Sequence, residues 1–137
     1  NYLDGELNST DNLSYANGNL VKAVYVMELS GHVITTEYSY STSNVAVNVY
    51  EISDPLSYHV DYFPGGYFGK QSKNVLLKSS SKTLDSQGDL FSEDEISFTT
   101  KYDEKGNAIA VTMDEVSTFN GITNTFTAKY NLTYTCK

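Results

Sequence analysis

The chain has 137 residues, 17 Asp+Glu against 9 Lys+Arg for a net charge of −8, 12 Tyr, no Trp and one Cys. That length fits a single domain able to bury a core without disulfide staples, and so acidic a surface repels phosphate backbones, which argues against nucleic acid as a partner. Cys136 has no second cysteine to pair with and no neighbouring zinc ligands, and no stretch reaches the eighteen apolar residues of a membrane-spanning helix.

The polar run 1–11 starts without Met. With the Tyr-, Ser-, Thr- and Asn-rich composition, it reads as the start of an exported chain whose targeting segment has been removed. The domain proper is placed at 12–137. Asn17-Gly18, between LSYA and NLVKAVYVMEL, predicts a two-residue hairpin. Ser30-Gly31 precedes HVITTEYSYS, in which Ile34, Thr36, Tyr38 and Tyr40 share a face opposite Thr35, Glu37 and Ser39. Ser43-Asn44 is expected to turn the chain into a further strand, VAVNVYEI.

Residues 54–74, DPLSYHVDYFPGGYFGKQSKN, break this rhythm with both prolines, three of the nine glycines and five aromatic side chains. Asp54 as cap and Pro55 at the first helical position predict one or two helical turns ending near Phe63. PGGYFG is expected to be irregular, so the segment reads as an aromatic crossover between two halves of a meander, where function would concentrate. GGYFGKQSK brushes against a phosphate-binding loop. Five positions before Gly69 stands Pro64, which has no N–H, and Gln71 occupies the place of the hydroxyl that holds Mg²⁺. The nucleotide reading therefore falls, and Tyr62, Tyr67, Phe68, Lys70 and Lys73 are taken as candidate ligand-binding residues.

Further on, SEDE at 92–95 is read as a solvated hairpin end. EISFTTKY leads into Asp103–Asn107, where Gly106 supplies a left-handed residue, and AIAVTMDEV follows. Asn120-Gly121 introduces the last strand. There Ile122, Asn124, Phe126, Ala128, Tyr130, Leu132, Tyr134 and Cys136, a largely apolar and aromatic set, alternate with a wholly polar one, predicting a long half-buried strand with a bend or bulge. Tyr15 to Val21 echoes Tyr102 to Ile109, as one hairpin device used in each half. The expected fold is all-β, an antiparallel meander of about eight to ten strands, barrel-like or strongly curled, with one short helical and aromatic crossover at 54–74.

Catalytic chemistry is not visible. His32 is expected to be exposed at a hairpin. His59 and Asp61 lack a third ligand, so no metal is assigned. No Gly-x-Ser-x-Gly element occurs. Asp85, Asp89, Glu93, Asp94, Glu95, Asp114 and Glu115 are expected at turns and strand ends, serving solubility and edge protection rather than a glycosidase pair. No cofactor is implied. Lys22 and Lys78 within strands argue against a membrane-inserted barrel.

The segments NLVKAVY, TTEYSYS, NVYEISDPLSYH, FGKQSKNVLLK and YDEKGNAIAV, in this order, resemble a Bacteroidetes family of secreted putative lipoproteins. It is a family of unknown function described as having a porin-like, all-β fold. The most specific element is Phe68 to Asn74, similar to the family's FGxxSKN, and the resemblance covers about residues 12–135. It implies a periplasmic or surface location, tethered through an acylated cysteine upstream of Asn1, and no known reaction. The expected function is an exported, surface-associated binding or accessory module without catalytic activity, its partner a glycan, peptide or envelope protein. The alternatives are a carrier of a small hydrophobic molecule in a barrel lined by Tyr38, Tyr40, Phe98, Phe126 and Tyr130, and a carboxylate-dependent hydrolase.

Overall fold

A computed structural model describes residues 2–3, 6–7, 9–45 and 73–133. Among these there is no helix. Two two-residue strands, β1 (Tyr2–Leu3) and β2 (Glu6–Leu7), pair with each other. Seven longer strands form one antiparallel sheet in chain order: β3 (Ser9–Ala16), β4 (Asn19–Met27), β5 (His32–Val45), β6 (Asn74–Leu84), β7 (Leu90–Tyr102), β8 (Ala108–Phe119) and β9 (Ile122–Asn131). The sheet is a meander, as the hairpin signals predict. It is open: β3 and β9 are its edges and do not pair. Seven is an odd number, so the two edge strands run parallel to each other. Closing on itself would require a pairing unlike every other in the sheet.

The turns follow their chemistry. Asn17-Gly18 and Asn120-Gly121 each hold two consecutive positive-φ residues, the mirror-image turn whose twist matches a two-residue hairpin. The sequence echo between residues 15–21 and 102–109 is real in one respect. In each, the strand leaving the turn carries one extra residue, Val21 or Ile109, next to the pair that joins the tyrosine to a fully buried apolar residue: Leu20 across from Tyr15, Ala108 across from Tyr102. The loops themselves differ, two residues in one and five in the other.

The true twin of 103–107 is 85–89. Asp103 Oδ1 accepts from Lys105 N at 2.9 Å and Asn107 N at 2.8 Å; Asp85 Oδ1 accepts from Gln87 N and Asp89 N, both at 2.9 Å. Both loops obey Asp-x-x-Gly-Asn/Asp, with Gly106 and Gly88 at positive φ. A first Asp that bonds its own turn and a Gly that goes left-handed are what such a loop needs.

Several expectations change. The Ser43-Asn44 turn is absent, because β5 continues through to Val45. β5 instead bulges: Tyr40 pairs with Leu76 and Val45 with Asn74, so residues 41–44 stand against Val75 alone. β9 pairs with β8 from Ile122 to Asn131 with no register shift, so the bend or bulge expected in it is not found there. It is also an edge strand with exposed side chains rather than a half-buried one. The helical turns expected at Pro55–Phe63 and the PGGYFG loop lie outside the described residues, as do His59, Asp61 and Cys136.

Candidate functional site

Directly opposed residues of an antiparallel sheet point to the same side, so the registers sort every strand into two faces. One carries Tyr25, Ile34, Tyr38, Tyr40, Leu76, Ile96, Phe98, Val111, Met113, Phe119, Ile122, Phe126 and Tyr130; it is called the aromatic face. Its core is Leu76, Phe98 and Val111, against which Tyr38, Tyr40, Ile96, Met113 and Leu132 pack. All five residues expected to line a carrier's interior lie on it. Phe98 is 8 % exposed and Phe126 57 %, so the face passes from closed to open across the sheet.

The other face is polar and charged. Lys78 Nζ lies 2.7 Å from Glu95, Lys82 Nζ 2.7 Å from Glu93 and Lys22 Nζ 3.7 Å from Glu37. Glu93, whose carboxylate accepts the Lys82 hydrogen bond, raises the ammonium pKa above 10.5, and its charge adds to the effect. SEDE is therefore a mid-strand segment, not a hairpin end. Glu93 and Glu95 join the charged ladder while Asp94 points to the aromatic face. Asp114 and Glu115 are also mid-strand; Thr127 donates to Asp114 at 2.7 Å on the polar face. Of the seven carboxylates weighed from sequence, Asp85 and Asp89 alone sit at a turn.

Asp94 and Glu115 share the aromatic face. Asp94 stands opposite Ser81 and Ser117, Glu115 opposite Ile96 and Phe126. They are diagonal neighbours, about 7–8 Å apart by sheet geometry. The sequence held this signal. Asp94 is in phase with Ile96 and Phe98, and Glu115 with Met113 and Phe119, which the alternation rule would have placed on the apolar side.

The candidate ligand residues Tyr62, Tyr67, Phe68 and Lys70 lie outside the described residues. Lys73 is described and exposed. Its N–H donates to Gly18 O at 3.0 Å, and a Cβ built at Gly18 would sit 3.5 Å from Lys73 Cβ. Next to it, Asn74 N donates to Asn19 Oδ1 at 2.8 Å, and Asn19 Nδ2 donates to Asn74 Oδ1 at 3.0 Å. The last residue of the FGxxSKN element thus bonds the Asn-Gly hairpin tip, reaching past β5 where that strand bulges away. This clamp bonds the hairpin tip at the start of β4 to the start of β6, two strands that are not neighbours in the sheet.

At the opposite end lies a second aromatic group. Phe91 meets Phe119 edge-on with centroids 4.8 Å apart, and His32 lies 5.3 Å from Phe91. His32 is half-buried rather than exposed because it leans on this ring. Phe91 is the extra residue where Thr83 pairs with Ser92 but Leu84 with Leu90, so the bulge turns it toward Phe119. Among the described residues no group of three or more His, Cys, Asp or Glu is arranged to hold a metal ion.

Compared with known proteins, the chain matches no family model, no curated protein and no solved structure.

Proposed function

We propose that the protein is an exported, surface-associated binding or accessory module without catalytic activity. The observation that supports this best is the open aromatic face. A meander that leaves Phe119, Ile122 and Phe126 exposed on one side, and a salt-bridged polar ladder on the other, has a surface built for contact. Location at the bacterial envelope, tethered upstream of Asn1, rests on the family resemblance carried by Phe68–Asn74. The aromatic crossover, with Tyr62, Tyr67, Phe68, Lys70 and Lys73, is the first contact surface, and its partner a glycan, peptide or envelope protein.

A carrier role is the second reading. Its support is that Tyr38, Tyr40, Phe98, Phe126 and Tyr130 do share one face. As a carrier the chain would need the sheet to curl into a barrel-like wall around its ligand. One experiment separates the two. The purified chain is tested against glycan and lipid panels, beside the Tyr67→Ala/Phe68→Ala variant. Glycan binding lost in the variant supports the crossover surface. Lipid binding unchanged in the variant supports the carrier. Binding to neither moves the search to protein partners.

A further inference from the structure

The two faces differ in charge as well as polarity. Five lysines stand on the described strands, Lys22, Lys78, Lys82, Lys101 and Lys129, and register places all five on the polar face. The aromatic face carries Asp11, Asp94 and Glu115 and, among the described residues, no lysine. Asp94 and Glu115 are both half-buried, Asp94 between Ser81 and Ser117 and Glu115 between Ile96 and Phe126, and among the described residues no strand lysine lies on their side of the sheet. The same face exposes Phe119, Ile122, Phe126 and Tyr130 along β8 and β9, and β9 is an edge strand among the described residues.

We infer that the aromatic face over β8 and β9 docks a basic, apolar polypeptide segment in extended conformation. Charge complementarity selects this occupant. A second copy would bring the same carboxylates, and a net charge of −8, against their like. An anionic membrane fails for the same reason. An extended segment can add to the β9 edge through its backbone and set every second side chain beside Ile122, Phe126 and Tyr130. Basic side chains among those would lean over β9 toward Glu115 on β8, with Asp94 adding negative charge on the same face one strand further in. The inference deepens the binding-module reading and rests on it.

The test uses the full chain and a short synthetic peptide in which every second residue is Leu or Lys by turns, with Ser between them so that Leu and Lys share one strand face; the matching Leu/Glu and Leu/Gln peptides are controls, and binding is followed by calorimetry. The Leu/Lys peptide is expected to bind, Leu/Gln more weakly and Leu/Glu not at all, with affinity falling as salt rises from about 50 to about 300 mM. Asp94→Asn/Glu115→Gln should weaken binding by ~10-fold or more, and Phe126→Ser by a similar factor. Glu37→Gln, which removes one charge from the polar face, should leave it within about twofold. Equal loss in Glu37→Gln and the double variant would mean diffuse attraction to an acidic protein and overturn the inference. So would equal binding of the Leu/Lys and Leu/Glu peptides, no binding of the Leu/Lys peptide, or a Phe126-dependent dimer in sedimentation. Binding lost in Tyr67→Ala/Phe68→Ala but kept in Phe126→Ser would overturn it too, while leaving the binding-module reading standing.

Discussion

The aromatic face is closed near the crossover end and open toward β9, although the two parts are built from the same residue types. Near the crossover, Phe98 and Val111 are 8 % and 1 % exposed, enclosed by Tyr38, Tyr40, Met113 and Leu132. Toward β9 and the far turns, Phe126 and Ile122 are 57 % and 66 % exposed on strands just as regular. Strand periodicity states which side a residue takes; it does not state whether anything lies over it. The Gly18–Asn19 tip clamps onto Lys73 and Asn74, and the bulged β5 makes room for it. At the far end, the non-adjacent β5 and β7 meet through the His32–Phe91 ring pair instead.

The largest test of that contrast is a pair of truncations. Phe98→Ala should cost about 3–5 kcal/mol in urea unfolding, the loss expected for a buried ring that leaves a cavity. Phe126→Ala should cost less than about 1 kcal/mol, as an exposed position does. Equal costs would show that Phe126 is covered in solution and erase the distinction. Asn19→Ala comes next, at about 1–3 kcal/mol, because it strands the Asn74 N–H in a part-buried site. A double-mutant cycle with Asn74→Ala should show coupling, and additivity would mean that the clamp does not form. Gly31 and Gly121 then compare two turns of the far end. Both have positive φ, but a Cβ at Gly31 would stand 2.9 Å from Ser86 Cβ while nothing lies within 4 Å of one at Gly121. Gly121→Ala should cost about 1 kcal/mol from backbone strain and Gly31→Ala clearly more, in thermal unfolding.

Much of this fold was legible because hairpin chemistry is local. Asn17-Gly18, Gly106 and Asn120-Gly121 each dictate a turn from a few adjacent residues, and the alternation in Ile34 to Tyr40 dictates a face. Three things were not legible. Ser43-Asn44 looks like a turn, but the neighbouring strand kept β5 paired and absorbed the extra residues as a bulge. The apolar alternation of β9 looks half-buried, yet an edge strand has a neighbour on one side only and loses half the cover. The Asn19–Asn74 pair spans 55 positions, and no local pattern announces a side-chain bond of that reach. For the site, Asp94 and Glu115 could have been found by phase, since they interrupt apolar sets. Their isolation from every strand lysine needed the registers.

The smallest expected effect compares the twin loops at the two ends. In 103–107, Asn107 Nδ2 donates to Asp103 Oδ2 at 2.9 Å; in 85–89 the corresponding residue is Asp89, which has no such donor. The Asn107 side-chain amide, with its backbone N–H, favours the ionised Asp103 and lowers its pKa below the ordinary 3.8. A lowered folded pKa means that the bond's contribution is present above about pH 4, where the unfolded carboxyl is ionised, and is lost as pH falls through the folded value. The loop at the crossover end should therefore keep its closed form somewhat below pH 3.8, and an NMR titration following the Asn107 amide should place the Asp103 midpoint there. Asn107→Ala should move that midpoint back up, because it deletes the largest contribution. Asp89→Asn should add the missing side-chain donor to the far loop. An Asp103 midpoint that ignores Asn107→Ala would mean that the side-chain bond is not populated, and that the two loops differ in sequence but not in how tightly they hold their carboxylates.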